Sequence, residues 1–280
     1  MSETDLSAPR AGSPVRTPDP GPGAVSRLLR LLGRPVIALG FDPRRLRDLR
    51  QVRRYLAERR AFRRLGGRID ETYPVLADYE APAGSIVDHY FHQDLLVAGF
   101  VHQARPRRHI DVGSRIDGFV AHVASFREIE VLDVRPLADI GHAGIRFLQA
   151  DLMSEAHAPH AITDSLSCLH ALEHFGLGRY GDPLDPQGHL KGFRNLCRML
   201  EPGGTAYISF PVGVRTRVAF NAQRVFHPLE ILEWSAGEMS LVRFDFIDDA
   251  GRLHRDWPLR DTLPQAHFGC GIYTLRKGRP

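Results

Sequence analysis

Two groups of residues in this 280-residue chain have types and spacings suited to chemistry. The first is a turn. His109-Ile110-Asp111-Val112 reads as a β-strand that breaks at Gly113, an apolar-periodic helix runs from after Gly118 through Phe126, and a β-rich run, 129–132, ends on Asp133. Glycines let backbone approach a ligand without interference from Cβ, and a carboxylate about twenty residues on can accept two hydrogen bonds from a ribose diol. Asp111 and Asp133 stand 22 residues apart, so the turn is expected to bind an adenosine-containing cofactor. The second group is His170, Glu173 and His174, at the carboxyl end of a predicted fourth strand, where open α/β sheets place ligands. These are the candidates for a general base acting on a hydroxyl. His170 and His174 would share a helix face, but no third ligand is close in sequence and the spacing lacks the glutamate pattern of zinc hydrolases, so no metal is expected.

The elements that must hold these residues alternate along the chain. A third strand, 145–150, ends on Asp151, and a fourth, 162–169, runs into His170. The Gly- and Pro-dense loop 175–186 offers Tyr180 and Asp182 to an acceptor. A helix over 187–200 buries Leu190, Phe193, Leu196 and Leu200 and stops at Glu201-Pro202-Gly203-Gly204. A fifth strand, 205–210, breaks at Pro211, and a helix follows over 227–236. Two closing strand-like runs, 241–247 and 268–275, have no convincing helix between them, so they are expected to pair antiparallel. Strands alternating with helices predict a mostly parallel sheet covered on both faces.

Upstream, residues 1–24 are rich in Pro, Gly, Ser and Thr and read as a disordered tail. A short apolar piece at 25–32 and a β-like run at 35–39 follow. A helix over 43–65 is capped by Asp42 and stopped by Gly66-Gly67. A helix over 86–103 carries Tyr90 and Phe91 beside His89, His92 and His102, and suits either a lid over the cofactor or a cover for the sheet. The expected organisation is thus a tail (1–24), a helical extension with lid (25–104) and an α/β domain (105–280).

Composition, 43% hydrophobic and 25% charged, is that of a globular protein. No run approaches 18 apolar residues, and the N-terminus lacks a secretory pattern. Cys168, Cys197 and Cys270 form neither a zinc spacing nor a disulfide framework, so a cytoplasmic location is expected. Arginine dominates the basic residues, with Lys191 and Lys277 the two lysines, and residues 1–70 hold 16 arginines against seven acids. That excess makes the +4 charge of the whole chain a property of the extension. Weak contact with a membrane surface is one use for it; a solvated helix face is the plainer one. Nucleic acid is not an expected partner, because the extension lacks aromatics interleaved to stack bases.

Residues 105–276 resemble the class I S-adenosylmethionine-dependent methyltransferases. The matching pieces are the turn 109–113, Asp133, Gln149-Ala150-Asp151, the strand end 169–174, and Arg198-Met199-Leu200-Glu201-Pro202-Gly203-Gly204. More narrowly, residues 91–226 look like a bacterial and nematode family known only as a domain of unknown function, whose bacterial members tend to accompany surface-polysaccharide biosynthesis. The resemblance implies a Rossmann-like fold with a seven-stranded, mostly parallel sheet, and S-adenosylmethionine as cofactor. It implies that Gly113, Ser114 and Gly118 line the turn under the methionine part, with Asp111 holding its amino group or the turn itself. Asp133 would bind the ribose, Val134 and Arg135 would sit beside the adenine, Asp151 would bond the adenine amino group, and Leu152 would lie against the ring, with Ala150 also among the cofactor-binding residues. Leu169 and His170 would face the methyl. The implied reaction is methylation of a small-molecule or glycan hydroxyl. The turn departs from the usual Gly-x-Gly-x-Gly, with Arg115 placed either to block the cofactor or to pair with its carboxylate. A non-catalytic cofactor-binding or scaffold role is the alternative. No Asn-Pro-Pro-aromatic tetrapeptide follows strand four, which argues against a nucleic-acid methyltransferase.

Overall fold

The computed structural model describes residues 48–80, 89–138, 141–235, 237–264 and 266–279. The expectations for the tail 1–24, for the segments 25–32 and 35–39, and for the first residues of the helices at 43 and 86 lie outside these. Two compact units divide the chain between Gly84 and Ser85.

In the first unit, helix α1 (Val52–Arg64) continues a short 3-10 turn and buries none of its residues. Gly66 ends it at φ +89°, and the Gly67 N–H closes on the Phe62 carbonyl at 2.9 Å, the αL stop that only glycine adopts without strain. Arg54 pairs with Glu58 at 2.8 Å, and the Tyr79 hydroxyl donates to the same carboxylate at 2.6 Å.

The second unit is built on an eight-stranded sheet. Its strands are β1 (His109–Val112), β2 (Ile129–Asp133), β3 (Ile145–Gln149), β4 (Thr163–Leu169), β5 (Leu200–Val212), β8 (Met239–Ile247), β9 (Leu253–His254) and β10 (Gly269–Lys277), in the order β3-β2-β1-β4-β5-β10-β8-β9. Strands β1 to β5 are parallel, and β10 runs antiparallel between β5 and β8. The order reverses between β1 and β4, which makes their carboxyl ends the crevice of the sheet. Helix α2 (His89–Ala104), the π-turn Ile116–Val120 and α3 (Ala121–Ala124) share a core with Val131, Leu169 and Ile272. Helices α4 (Gly188–Met199) and α5 (Glu230–Trp234) share another with Ile110, Leu166 and Phe210. Helices therefore cover both faces, as the alternation predicts.

Four features depart from the sequence expectations. The sheet has eight strands, not seven. Asp248 accepts from the Ala250 and Arg252 amides at 2.9 and 3.0 Å and so turns the chain back as β9. Strand β5 does not break at Pro211, which pairs with Cys270; β4 has already ended at Leu169, opposite Ser209, so that side of the ladder needs no N–H there. The Pro-Gly-Gly stop survives as an irregularity inside β5, whose register against β4 jumps from Thr163↔Leu200 to Ser165↔Thr205. A small hairpin, β6 (Arg217–Ala219) with β7 (Gln223–Val225), was too short and polar to be read. Helix α2, read by sequence as a lid or a cover for the sheet, packs into the second unit, burying Leu96, Val97 and Val101. Among the described residues no helix is long and apolar enough to cross a membrane.

Phe210 joins the layers: its ring lies 5.0 Å from both Phe226 and Tyr273 and 5.6 Å from Trp234. Phe210→Ala is expected to lower stability by about 3–5 kcal/mol in urea denaturation. Phe220→Ala, at a ring 74% exposed, is expected to change it by less than about 0.5 kcal/mol.

Candidate functional site

The turn after β1 is held from beneath by a buried polar relay. Asp111 is fully buried and accepts the Ser167 hydroxyl at 2.5 Å, the Ser114 hydroxyl at 2.7 Å and the Ser114 amide at 3.0 Å. Because Ser167 donates to Asp111, its oxygen must accept from His109 Nε2–H, 3.2 Å away, which leaves His109 Nδ1 to accept the Ser165 hydroxyl at 2.8 Å. Burial pushes the Asp111 carboxyl up from 3.8 to about 6, against the pull of its serine donors. Burial likewise pushes His109 down from 6.5 to about 3, with the Arg127 charge assisting. Gly113 turns the chain at φ +74°, where a Cβ would stand 2.7 Å from that of Ala171. Asp111 is thus hydrogen-bonded to the turn itself through Ser114.

Above this turn lies a cavity. Val112, Leu132, Val134, Ala150 and Leu152 supply apolar walls, and Asp133 and Asp151 stand at the ends of β2 and β3. Gly113, Asp133, Val134, Arg135, Ala150, Asp151, Leu152 and His170, all picked from sequence, meet there. Asp133 is engaged by Arg135, whose amide and Nε reach one carboxylate oxygen at 2.8 and 2.9 Å and whose Nη2 reaches the other at 2.5 Å. The Arg135 guanidinium also lies 4.4 Å over the Tyr180 ring. Asp151 accepts the Met153 amide at 2.9 Å.

Besides Asp111, four residues predicted to bind the cofactor stand off the cavity wall. Ser114 is spent on Asp111. Arg115 is turned outward, pairing with Asp117 at 2.7 Å, because the chain leaves the turn extended at φ −68°, ψ 132°. Gly118 faces Asp94, whose carboxylate would lie 2.6 Å from an added Cβ. Leu169 alternates to the opposite sheet face and is buried in the α2 core.

The end of β4 carries the second group. His170 sits in the left-handed region at φ +51°, a strained conformation for a side chain of its size. Its amide donates to the Ser209 carbonyl at 3.1 Å, and its Nδ1 meets Glu173 Oε1 at 2.9 Å. Burial opposes charge on this ring, but the Cys270 sulfur and the Glu173 carboxylate outweigh it and raise His170 well above its ordinary value. The same Oε1 lies 3.7 Å from His174 Nε2. His174 Nδ1–H donates to the Ala222 carbonyl, 2.8 Å away in the β6–β7 hairpin, so Nε2 holds the lone pair. Burial keeps His174 below its ordinary value, with Arg179 assisting and Glu173 opposing. His170, His174 and Tyr180 also line a second cavity, with His89, Arg179 and Asp249 among its other walls.

Arg224 and Gln93 were not picked out from the sequence, whereas Asp182 was read there as facing an acceptor. Arg224 is buried and donates to the carbonyls of Glu173 and Phe175 at 3.3 and 2.6 Å and of Asp185 and Pro186 at 3.4 and 3.3 Å, clamping the loop after β4. Asp182 braces the same loop through the amides of Gly176, Gly178 and Tyr180 at 2.7, 3.3 and 3.2 Å. In α2, Gln93 accepts the Ser209 hydroxyl at 2.5 Å. A polar residue breaking an apolar helix face, as Gln93 and Asp94 do, is the one pattern that could have flagged them.

Residues 146–249 match the family described as Caenorhabditis protein of unknown function, DUF268. No curated protein matches the chain. A Galdieria sulphuraria structure, described as a putative sarcosine dimethylglycine methyltransferase, aligns at 14% identity over 79% of this chain and 97% of its own, with a TM-score of 0.50. A Burkholderia thailandensis 1,6-didemethyltoxoflavin-N1-methyltransferase, bound to its substrate and S-adenosylhomocysteine, aligns at 15% identity over 76% and 94%, TM-score 0.49. The N-methyltransferase NodS from Bradyrhizobium japonicum, in complex with S-adenosylhomocysteine, aligns at 13% identity over 68% and 88%, TM-score 0.48. The likeness to the Galdieria structure concerns the fold alone, and with the strand order it makes the second unit Rossmann-like.

Asp111 makes the relay testable by pH. A carboxyl raised in the folded state contributes stability that is complete below 3.8 and lost as pH rises through about 6. His109 acts in the opposite sense, its contribution being lost as pH falls from 6.5 toward about 3. Asp111→Asn removes the first effect and keeps the second. Relative to wild type, the variant is expected to gain on the order of 2–3 kcal/mol between pH 4 and 6 and nothing further above. Urea denaturation at unit pH steps checks this, and parallel curves would show that Asp111 does not titrate there.

Proposed function

We propose that this chain is an S-adenosylmethionine-dependent methyltransferase acting on a hydroxyl of a small molecule or glycan, with surface-polysaccharide biosynthesis as its setting. The observation that carries the reading is the cavity over the β1 turn. Its apolar walls would suit an adenine, and its two strand-end carboxylates would serve as acceptors for a ribose diol and an exocyclic amine. Asp133 would hold the ribose, Asp151 the adenine amino group, and Val134, Ala150 and Leu152 would flank the ring. When bound, the cofactor supplies an electrophilic methyl on a sulfonium, an in-line transfer for which the protein chiefly gives orientation and water exclusion.

The second cavity is the acceptor side of this reading. A hydroxyl must lose its proton to attack, and His174 is placed to take it. Its Nδ1 proton is spent on Ala222, its Nε2 carries the lone pair, and the nearby Glu173 carboxylate steadies the charged ring once formed. Histidine, tyrosine, arginine and carboxylate walls suit a hydroxyl-rich acceptor. The chemistry of these walls, and not the fold, is what favours oxygen over nitrogen. One observation favours the non-catalytic alternative, since Arg135 already occupies Asp133 and must share it with a ribose.

Titration calorimetry with S-adenosylhomocysteine is expected to give a micromolar Kd, weakened at least tenfold by Asp133→Ala. No binding to folded wild type would end the reading. With an acceptor found among sugars and surface glycans, His174→Gln is expected to lower kcat by about 10²–10⁴ while leaving that Kd within twofold. The wild-type rate should fall as pH drops and His174 takes up a proton in the free enzyme. Cofactor binding without turnover on any acceptor would leave the scaffold role.

A further inference from the structure

Between α2, the end of β4 and the start of β10, the imidazoles of His89 and His170 and the thiol of Cys270 bring one ligand atom each within 4.8 Å of one another. We propose that these three residues bind one divalent cation of borderline softness, zinc being the best match, with its fourth position turned to the second cavity. Two imidazoles and a thiolate favour zinc over magnesium or calcium, which prefer oxygen, and three protein ligands with one open position is the catalytic arrangement of zinc.

Two independent features of His170 point to a ligand. Its Nε2 is buried without a partner in a side chain 7% exposed, a costly state for a ring nitrogen. Its Nδ1 is held by Glu173 at 2.9 Å, so that Nε2 is the nitrogen that gives up its proton to a metal, in the carboxylate–histidine–metal order. The backbone keeps the ring there despite its left-handed φ of +51°, as expected when a functional placement outweighs local strain. His89 stacks on His170 at 5.6 Å and on Phe268 at 6.0 Å, which seats the second imidazole. His89 and His170 both line the second cavity, so the open position faces the acceptor. This role, unlike the binding itself, rests on the methyltransferase reading. A hydroxyl at the cation would lose its proton to His174 Nε2 and keep the electron pair on oxygen for attack.

The test uses the full chain, stripped with a chelator under reducing conditions and titrated with zinc against a chromophoric competitor, then with cobalt(II). One equivalent is expected, with a thiolate-to-cobalt charge-transfer band. Cys270→Ser should abolish that band and weaken zinc at least 100-fold. His89→Gln should weaken zinc at least tenfold. Glu173→Gln should weaken it 10–100-fold yet keep the band, as a residue acting through His170 would. No bound equivalent, or wild-type affinity in Cys270→Ser, would overturn the site. If Cys270→Ser fails to fold by circular dichroism, an unchanged affinity in His89→Gln overturns it instead. Calorimetry with S-adenosylhomocysteine on the same stripped protein separates the two readings. Binding of the nucleoside without metal uptake sinks the metal site alone, and metal uptake without the nucleoside sinks the methyltransferase alone.

Discussion

The structure of the site depends on the burial of one carboxylate. Asp111 sits under the ends of β1 and β4 with no exposure to water, and a carboxylate there is tolerated only if hydrogen-bond donors answer it. Ser114 and Ser167 answer it, and Ser167 can do so only because His109 in turn supplies its oxygen with a proton. The relay crosses from β1 to β4 through side chains, where the backbone ladder gives only parallel pairing. It fixes the angle at which the chain leaves β1 and hence where the Gly113 turn lies beneath the cavity. The missing glycines of the turn are replaced by this construction: Ser114 is drawn down by the aspartate, and Arg115 is thrown outward.

A second buried acid does comparable work on the other side of the crevice. Glu173 reaches His170 and His174 with a single oxygen, so the tautomer of one ring and the charge of the other depend on the same atom. The geometry that makes this possible is the left-handed turn at His170, stabilised through Ser209 and, behind it, Gln93 of α2. Arg224 then clamps the following loop through carbonyls alone. A guanidinium with five fixed donors suits that task, and a lysine in its place would leave most of those carbonyls unanswered.

Much of the second unit was legible from residue pattern, because parallel strands buried on both faces read as apolar runs and their crossovers as amphipathic helices. The strand ends at Asp133 and Asp151 were legible for the same reason: each follows directly on an apolar run. Features made by long-range pairing were not. The β9 turn rests on Asp248, the β6–β7 hairpin is too short to show a period, and α2 joins the second unit through contacts with β10 and the π-turn that no local pattern announces.

The sequence by itself determined which residues could serve, since an acid at a strand end and a histidine after β4 are local facts, set by alternation and by the stop of each strand. Only the tertiary structure decided what those residues do. It turned Leu169 to the opposite sheet face, spent Ser114 on Asp111, and joined Asp133 to Arg135. It also brought His89, His170 and Cys270 together from three distant parts of the chain. The reason is physical: hydrogen-bond partners, burial and proximity are properties of packed surfaces, and packing is settled by strand order and register across the whole sheet, which no single stretch of sequence contains.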